Sequence, residues 1–210
     1  MKRNEVDRSK LSPGMKQYMD IKDQYNEEML FFRLGDFYEL FFEDAIICSR
    51  ELELTLTSKN AGLEERVPMC GVPFHSVKPY IEKLVSKGYK IAICEQLEDP
   101  KNTKGMVKRG VVQVISKGTV VDYEMLKEYD NNYIGSIIEF NGIFTITYGD
   151  LSTGSLYIMD VNNKDRLLNT ILNLNLKEVV FENDNNRELI DTLKNNYGID
   201  ISISSEYLMD

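Results

Sequence analysis

An apolar run from Met29 to Leu34 that stops at Gly35 is the feature that most limits how this chain can fold. Its first four residues have no polar side chain, and a short apolar run bounded by a turn residue is typical of a buried strand. The residues after Gly35 are again rich in apolar and aromatic side chains and predict a helix from about Phe37 to Leu52. The sequence therefore predicts a strand, a glycine turn and a helix in immediate succession, as in an α/β core.

Phe37 and Glu39 would lie on the first turn of that helix, with a ring and a carboxylate side by side. Such a ring can press against a flat object, such as stacked nucleic-acid bases, while the carboxylate accepts a hydrogen bond from it. The competing interpretation is a capping box, in which Asp36 accepts a hydrogen bond from the Glu39 amide and Glu39 reaches back. The number of rings weakens this alternative, because one strand and one helix face cannot easily bury all of them. These rings are Phe31, Phe32, Phe37, Tyr38, Phe41 and Phe42.

The overall charge does not by itself indicate a nucleic-acid-binding protein. The chain carries a net charge of −9, whereas neutralisation of phosphates by Lys and Arg supplies most non-specific affinity for DNA. Residues 1–120 nevertheless contain 19 Lys and Arg against 18 Asp and Glu, while residues 121–210 contain 6 against 16. Residues 101–117 have several basic residues and no acidic one. This segment is the predicted phosphate contact, through Lys104, Lys108 and Arg109, with a solvated charged loop as the alternative.

The sequence contains no signal for secretion, membrane insertion or metal binding. The N-terminal residues are charged, and no later run approaches the ~18 apolar residues of a membrane span. We therefore expect a cytoplasmic protein without membrane contact. Cys48, Cys70 and Cys94 are far apart and His75 is the only histidine, so buried thiols in a reducing compartment are expected rather than a disulfide framework or a zinc site.

Two patterns of secondary structure divide the chain. Residues 1–118 alternate short apolar strands with amphipathic helices and predict an α/β domain on a mixed sheet. Residues 119–130 are acidic and contain neither glycine nor proline, which indicates a linker. Residues 131–210 begin with three β-rich runs, the first two separated by Asn141-Gly142, a strong hairpin signal. Alternating helices and strands follow, so that this part predicts an RNase H-like domain, largely complete or truncated at its end.

Five blocks of the first domain occur in the order found in a known family. They are residues 11–18 (LSPGMKQY), 32–41 (FRLGDFYELF), 67–75 (VPMCGVPFH), 91–96 (IAICEQ) and 117–119 (KGT). Together they resemble the mismatch-recognition domain of the MutS family of DNA mismatch repair proteins. The resemblance implies that Phe37 is the wedging phenylalanine of that family and Glu39 its mismatch-contacting glutamate. It also implies that residues 131–210 are the connector domain.

The same resemblance implies what the chain binds. Its ligand would be mismatched double-stranded DNA, entered from the minor groove, in a nucleoid-associated protein. The intact protein would be a homodimer that signals to MutL and uses ATP and Mg²⁺. No phosphate-binding G-x-x-x-x-G-K-[ST] loop occurs in the sequence, so that we expect no cofactor and no enzymatic activity in this chain itself.

Three further assignments remain open at the level of the sequence. Val67, Pro68 and Met69 could present apolar atoms to the groove beside the wedge, or could simply form a buried edge strand. The acidic second half could be a protein-interaction module supported by the first half. An RNase H-like domain could also be a two-metal nuclease with Asp150 and Asp160 as ligands, although its first strand offers only Glu139.

Overall fold

The computed structural model describes residues 2–98, 103, 105–120 and 131–204. The chain forms two compact units, Met1–Ile115 and Ser116–Asp210. This division lies close to the predicted domain boundary at residue 118. The predicted linker, residues 119–130, is outside the described residues from 121 onward, so its extent stays a prediction.

The first unit is built on a six-stranded mixed sheet. Its strands are β1 Met29–Leu34, β2 Phe37–Phe41, β3 Thr57–Lys59, β4 Val67–Pro73, β5 Ile91–Gln96 and β6 Arg109–Ile115. Their spatial order is β3-β4-β2-β1-β5-β6; β1 and β5 are parallel, and the other neighbours are antiparallel. The helices are α1 Pro13–Lys22, α2 Phe42–Leu52 and α3 Lys78–Ser86, with short 3₁₀ turns at Arg3–Glu5, Arg8–Lys10 and Phe74–Ser76. Buried residues of α1 pack with Phe32, Phe41 and Val67, so α1 covers one face of the sheet.

The helix predicted from Phe37 is wrong over its first five residues, because Phe37–Phe41 form a strand. This strand pairs with β1 on one side and β4 on the other, so that both edges of its backbone are hydrogen-bonded. The turn before it uses Gly35 at φ +59°, and the helix begins only at Phe42, whose φ is +53°. The capping box is therefore wrong as well, since Asp36 and Glu39 lie in a hairpin rather than on a helical turn.

The second unit contains a five-stranded mixed sheet in the order β11-β10-β7-β8-β9. The strands are β7 Tyr133–Phe140, β8 Ile143–Asp150, β9 Ser155–Val161, β10 Glu178–Phe181 and β11 Asp200–Ile203, and the helices are α4 Lys164–Asn173 and α5 Arg187–Tyr197. Strands β7, β8 and β9 are antiparallel, and β7, β10 and β11 are parallel. Asn141 and Gly142 join β7 to β8 with φ of +52° and +78°, which confirms the predicted hairpin.

The architecture of both units confirms the predicted α/β class with mixed sheets. In the second unit, α4 and α5 pack on the face that carries Ile137, Ile146 and Val179. Among the described residues, no helix is both long and apolar enough to cross a bilayer.

Candidate nucleic-acid interface

Phe37 lies at the tip of the β1–β2 hairpin and is the exposed member of the aromatic cluster. It is the first residue of β2, directly after the Gly35–Asp36 turn, and pairs with Leu34 and Pro73 on the neighbouring strands. Its side chain is 46% exposed, whereas the other five rings of the cluster are buried. As expected, the strand and the helix do not bury every ring, and the one left in solvent stands where the chain turns.

Glu39 lies on the same face of the sheet as Phe37, because the two are separated by one residue of a strand. It is held by an ion pair in which Lys59 Nζ is 2.5 Å from Glu39 Oε2, with side-chain exposures of 38% and 16%. Gly71 is the residue of β4 opposite Glu39, and a Cβ there would lie 3.6 Å from Glu39 Cγ. The bare backbone of Gly71 therefore gives the glutamate room to reach across β4 towards Lys59 on β3.

The role of Lys59 could not be predicted, because nothing in the local sequence relates it to Glu39. It lies 20 residues further along, at the end of an edge strand of three residues. The pairing arises only because β4 stands between β2 and β3 in the sheet. Lys59 Nζ also lies 5.6 Å from the centroid of the buried Phe41 ring, within the range of a cation–π contact.

The segment Val67-Pro68-Met69 lies on β4, which is an interior strand and not an edge strand. The side chain of Val67 is fully buried in the core beneath α1, and that of Met69 packs against the same core. Pro68 is partly exposed. A contact between this segment and DNA stays a prediction, and in this conformation Val67 has no exposed side-chain surface with which to make it.

The basic residues predicted to contact phosphates differ in exposure and in hydrogen bonding. Arg109 donates hydrogen bonds to Arg33 O at 2.8 Å, Gln17 Oε1 at 2.9 Å and Val107 O at 3.0 Å. Its guanidinium thus ties the start of β6 to α1 and β1, and burial lowers its pKa. Lys108 is exposed, and Lys104 lies outside the described residues. Contacts of these three residues with phosphates remain predictions, and the Nε and Nη1 donors of Arg109 already have protein acceptors.

The carboxylates considered for a nuclease are not brought together. Asp150 pairs with Ser155 and Asp160 pairs with Thr145, at opposite ends of the β8–β9 hairpin and therefore ~17 Å apart at the rise of a strand. Partial burial raises the pKa of Asp150, but hydrogen bonds from Ser152 and the Asn132 amide outweigh this and lower it. Within the described part of the chain, no group of three or more His, Cys, Asp or Glu residues could hold a metal ion. The second unit thus lacks the geometry of a two-metal site among these residues.

Comparison with known proteins identifies relatives over most of the chain. A family model described as MutS domain I matches residues 12–124. The "DNA mismatch repair protein MutS" of Listeria monocytogenes serotype 4b is 50% identical over 197 residues, 93% of this chain and 23% of that relative. The proteins of the same name from Clostridium botulinum (52% over 186 residues, 88% of this chain, 20% of the relative) and Staphylococcus haemolyticus (50% over 186 residues, 89% and 21%) are similar. The chain therefore spans only 20% to 23% of the length of these relatives.

Proposed function

Because this chain belongs to the MutS family of DNA mismatch repair proteins, we propose that it recognises mispaired or unpaired bases in duplex DNA. In this proposal Phe37 enters the base stack from the minor groove and Glu39 contacts the defective base pair. The observation that carries it is the exposed ring of Phe37 at the tip of a hairpin, with Glu39 on the same face of the strand.

The energetics favour a defect over a particular sequence. Inserting an apolar wedge between bases unstacks a step at a cost of a few kcal/mol and kinks the duplex by ~20–90°. A mispaired base is already poorly stacked, so this cost is lower there. Stacking on the ring returns roughly 1–3 kcal/mol, which suffices only where unstacking is easy. Phe37 would therefore test how easily the duplex deforms.

Glu39 would act as a penalty on intact DNA. A carboxylate brought close to phosphates is repelled and loses hydration unless a base donor or a shared proton compensates it. In the free protein, Lys59 supplies that compensation through the ion pair described above. A defective base pair that offers a free donor can replace Lys59, whereas an intact pair cannot.

We predict that Glu39→Gln keeps or raises affinity for paired duplex and reduces the ratio of mismatch to match affinity. The removed charge no longer repels the phosphates, and the neutral amide contacts paired and mispaired bases with less distinction. Titrations of the intact protein with a paired duplex and with the same duplex carrying one mismatch, at fixed salt, measure the ratio. Glu51→Gln is the matched control, because Glu51 pairs with Lys87 at 2.8 Å with side-chain exposures of 18% and 41%. An unchanged ratio in Glu39→Gln would contradict this role of the carboxylate.

Lys59→Gln provides the complementary arm of that experiment. Loss of Lys59 leaves the Glu39 charge uncompensated, so we expect weaker binding to paired duplex and a smaller loss for mismatched duplex, whose free donor can replace Lys59. If Lys59 acts through Glu39, its substitution has little effect in the Glu39→Gln background. A loss of the same size in both backgrounds would mean that Lys59 contacts DNA directly.

The second unit favours an additional role in protein contacts. On the face opposite α4 and α5, Phe140 is 75% exposed, Leu156 74% and Ile158 72%. Exposed apolar side chains grouped on one face are typical of an interaction surface. We infer that the intact protein is a homodimer that signals to MutL through this unit, and that its ATPase lies outside the residues of this chain.

We predict that Leu156→Lys combined with Ile158→Lys weakens binding of purified MutL and leaves the mismatch-to-match ratio unchanged. Two charges on this face disfavour its burial in an apolar interface. Interferometry with the intact protein on mismatched DNA measures MutL binding, and Tyr197→Lys, at a residue that is 49% exposed on α5, is the control. Unchanged MutL binding in the double variant would remove this face from the interface.

A further inference from the structure

The hairpin turn that carries Phe37 is held by Arg33 of β1 and by Phe74, the residue that follows β4. Its two residues, Gly35 and Asp36, each have their carbonyl oxygen held by a hydrogen bond. Arg33 Nε donates to Gly35 O at 2.6 Å, and the backbone N–H of Phe74 donates to Asp36 O at 2.9 Å. A two-residue turn with both carbonyls bonded has little freedom to tilt.

Arg33 and Phe74 also hold each other. The guanidinium carbon of Arg33 lies 3.3 Å from the centroid of the Phe74 ring, a close cation–π contact. Arg33 alternates with Leu34 along β1 and therefore points to the face opposite Phe37, where its side chain is only 15% exposed. The two residues thus form one layer directly behind the hairpin tip.

This layer is itself anchored to the rest of the first unit. Arg33 Nη1 lies 3.7 Å from a carboxylate oxygen of Glu95 on β5, and the hydroxyl of Tyr38 donates a hydrogen bond to the same oxygen. Burial and the Glu95 carboxylate raise the pKa of Tyr38 to about 12, so that the hydroxyl keeps its proton at neutral pH. From the other side, Arg109 Nε donates to the carbonyl of Arg33 at 2.8 Å. The turn is therefore linked to β5 and β6 and not only to its own hairpin.

We propose that Arg33 and Phe74 are positioning residues that brace the Phe37 wedge against the thrust of the base stack. This proposal rests on the proposed function, because it assumes that Phe37 enters DNA. A ring that unstacks bases meets an opposing force, and a turn that yields would let the ring retreat instead of opening the step. Holding the turn in advance removes the free energy of ordering it on binding.

The brace differs from the more common role of an arginine in a DNA-binding protein. A phosphate contact needs an accessible guanidinium and raises affinity for every duplex. Arg33 instead directs Nε at its own turn, stacks on Phe74 and lies next to Glu95. Its substitution is therefore expected to change discrimination and not general affinity.

Arg33→Met in the intact protein tests the brace. We expect the mismatch-to-match affinity ratio to fall roughly tenfold, from the loss of one charged hydrogen bond and one cation–π contact, with little change for paired duplex. Arg33→Lys keeps the charge but lacks the planar group and the Nε donor, so it is expected to remain defective. A normal ratio in Arg33→Lys would overturn the proposal, because charge alone would then suffice.

A double-mutant cycle with Phe37→Ala shows whether Arg33 acts through the wedge. In the Phe37→Ala background, Arg33→Met is expected to cause no further loss of discrimination. An equal loss in both backgrounds, or a weaker binding of both duplexes with a smaller salt dependence, would identify Arg33 as a direct DNA contact. If Phe37→Ala itself leaves the ratio unchanged, the proposed function fails, and this outcome is distinct from failure of the brace.

Two further variants show whether a lower mismatch-to-match ratio comes from a displaced Phe37 wedge or from a protein that does not fold. Phe74→Leu removes the stacked ring while keeping an apolar side chain, and carries the same expectations if Arg33→Met does not fold. Arg50→Met is the control, because Arg50 is 70% exposed and pairs with the adjacent Glu51, away from the hairpin tip in sequence. A normal ratio in a folded Phe74→Leu protein would also overturn the brace.

Discussion

Phe37→Ala is expected to remove most of the preference for mismatched DNA. The variant loses the ring that would replace a lost base–base stack, worth roughly 1–3 kcal/mol, or about five- to 150-fold in the affinity ratio. Affinity for paired duplex should change much less, because an intact step is not opened in either protein. Competition titrations with paired and singly mismatched duplexes in the intact protein measure both affinities.

Phe37→Ala is expected to remove the ring without disturbing the hydrophobic core. Phe37 is 46% exposed at a hairpin tip, so that its truncation leaves no cavity in the core and is expected to change the free energy of unfolding little. Ile46→Ala is a suitable control, because Ile46 is 44% exposed on the unrelated surface of α2. If Phe37→Ala retains the full ratio while Ile46→Ala is also normal, the wedge must be assigned to another residue.

Local signals predicted the parts of the fold that depend on neighbours in sequence. Asn141-Gly142 adopts the two positive φ angles of a tight hairpin, because these residue types tolerate that conformation at low cost. The helix predicted over Phe37–Phe41 is wrong because the local sequence does not distinguish a helix from a strand there. Its aromatic and apolar residues suit a helix as well as a strand, and pairing with β1 and β4 decides between them.

Contacts between distant residues could not be predicted from the sequence. Resemblance to a family pointed to Phe37 and Glu39. The contacts of Lys59 with Glu39 and of Arg33 with Phe74 and Glu95 arise only through the strand order of the sheet. Arg109 is a similar case. The run of basic residues predicts phosphate contacts, which stay a prediction, and nothing in the sequence indicates that the Arg109 guanidinium also contacts acceptors from α1 and β1.

The stability of the first unit should depend strongly on one buried ion pair, between Lys22 and Asp44. The two charged atoms are 2.8 Å apart, with side-chain exposures of 6% and 11%. Lys22 Nζ also donates to Glu28 O at 2.5 Å, and Asp44 accepts the backbone N–H of Leu30 at 3.0 Å. The pair thus joins the end of α1 to α2 at the start of β1, beneath the strand that leads to the hairpin tip.

Asp44→Ala is accordingly expected to lower the free energy of unfolding by about 3–5 kcal/mol, because it leaves the Lys22 charge buried without an opposite charge. Asp23→Ala is the control: Asp23 is 39% exposed and pairs with Arg3 and Arg8 at the surface, where such pairs contribute about 0–1 kcal/mol. Urea unfolding followed by circular dichroism measures both, and hydrogen exchange at the Leu30 amide localises the effect to the first unit. A loss in Asp44→Ala no greater than in Asp23→Ala would contradict the prediction.

The pKa of Asp44 indicates how replacing both members of the ion pair by apolar residues should affect stability. Burial raises this pKa more than Lys22 and the Leu30 amide lower it, so that its partners do not fully offset the cost of burying the charge. A raised folded-state pKa means that stability contributed by the protonated carboxyl is present at low pH and is lost as pH rises through that pKa. At neutral pH, Lys22→Met combined with Asp44→Leu should therefore recover most of the stability that Asp44→Ala loses. Recovery in the double variant, without a comparable recovery in Asp44→Leu alone, would show that Asp44→Ala is destabilised by the unpaired Lys22 charge and not by lost packing.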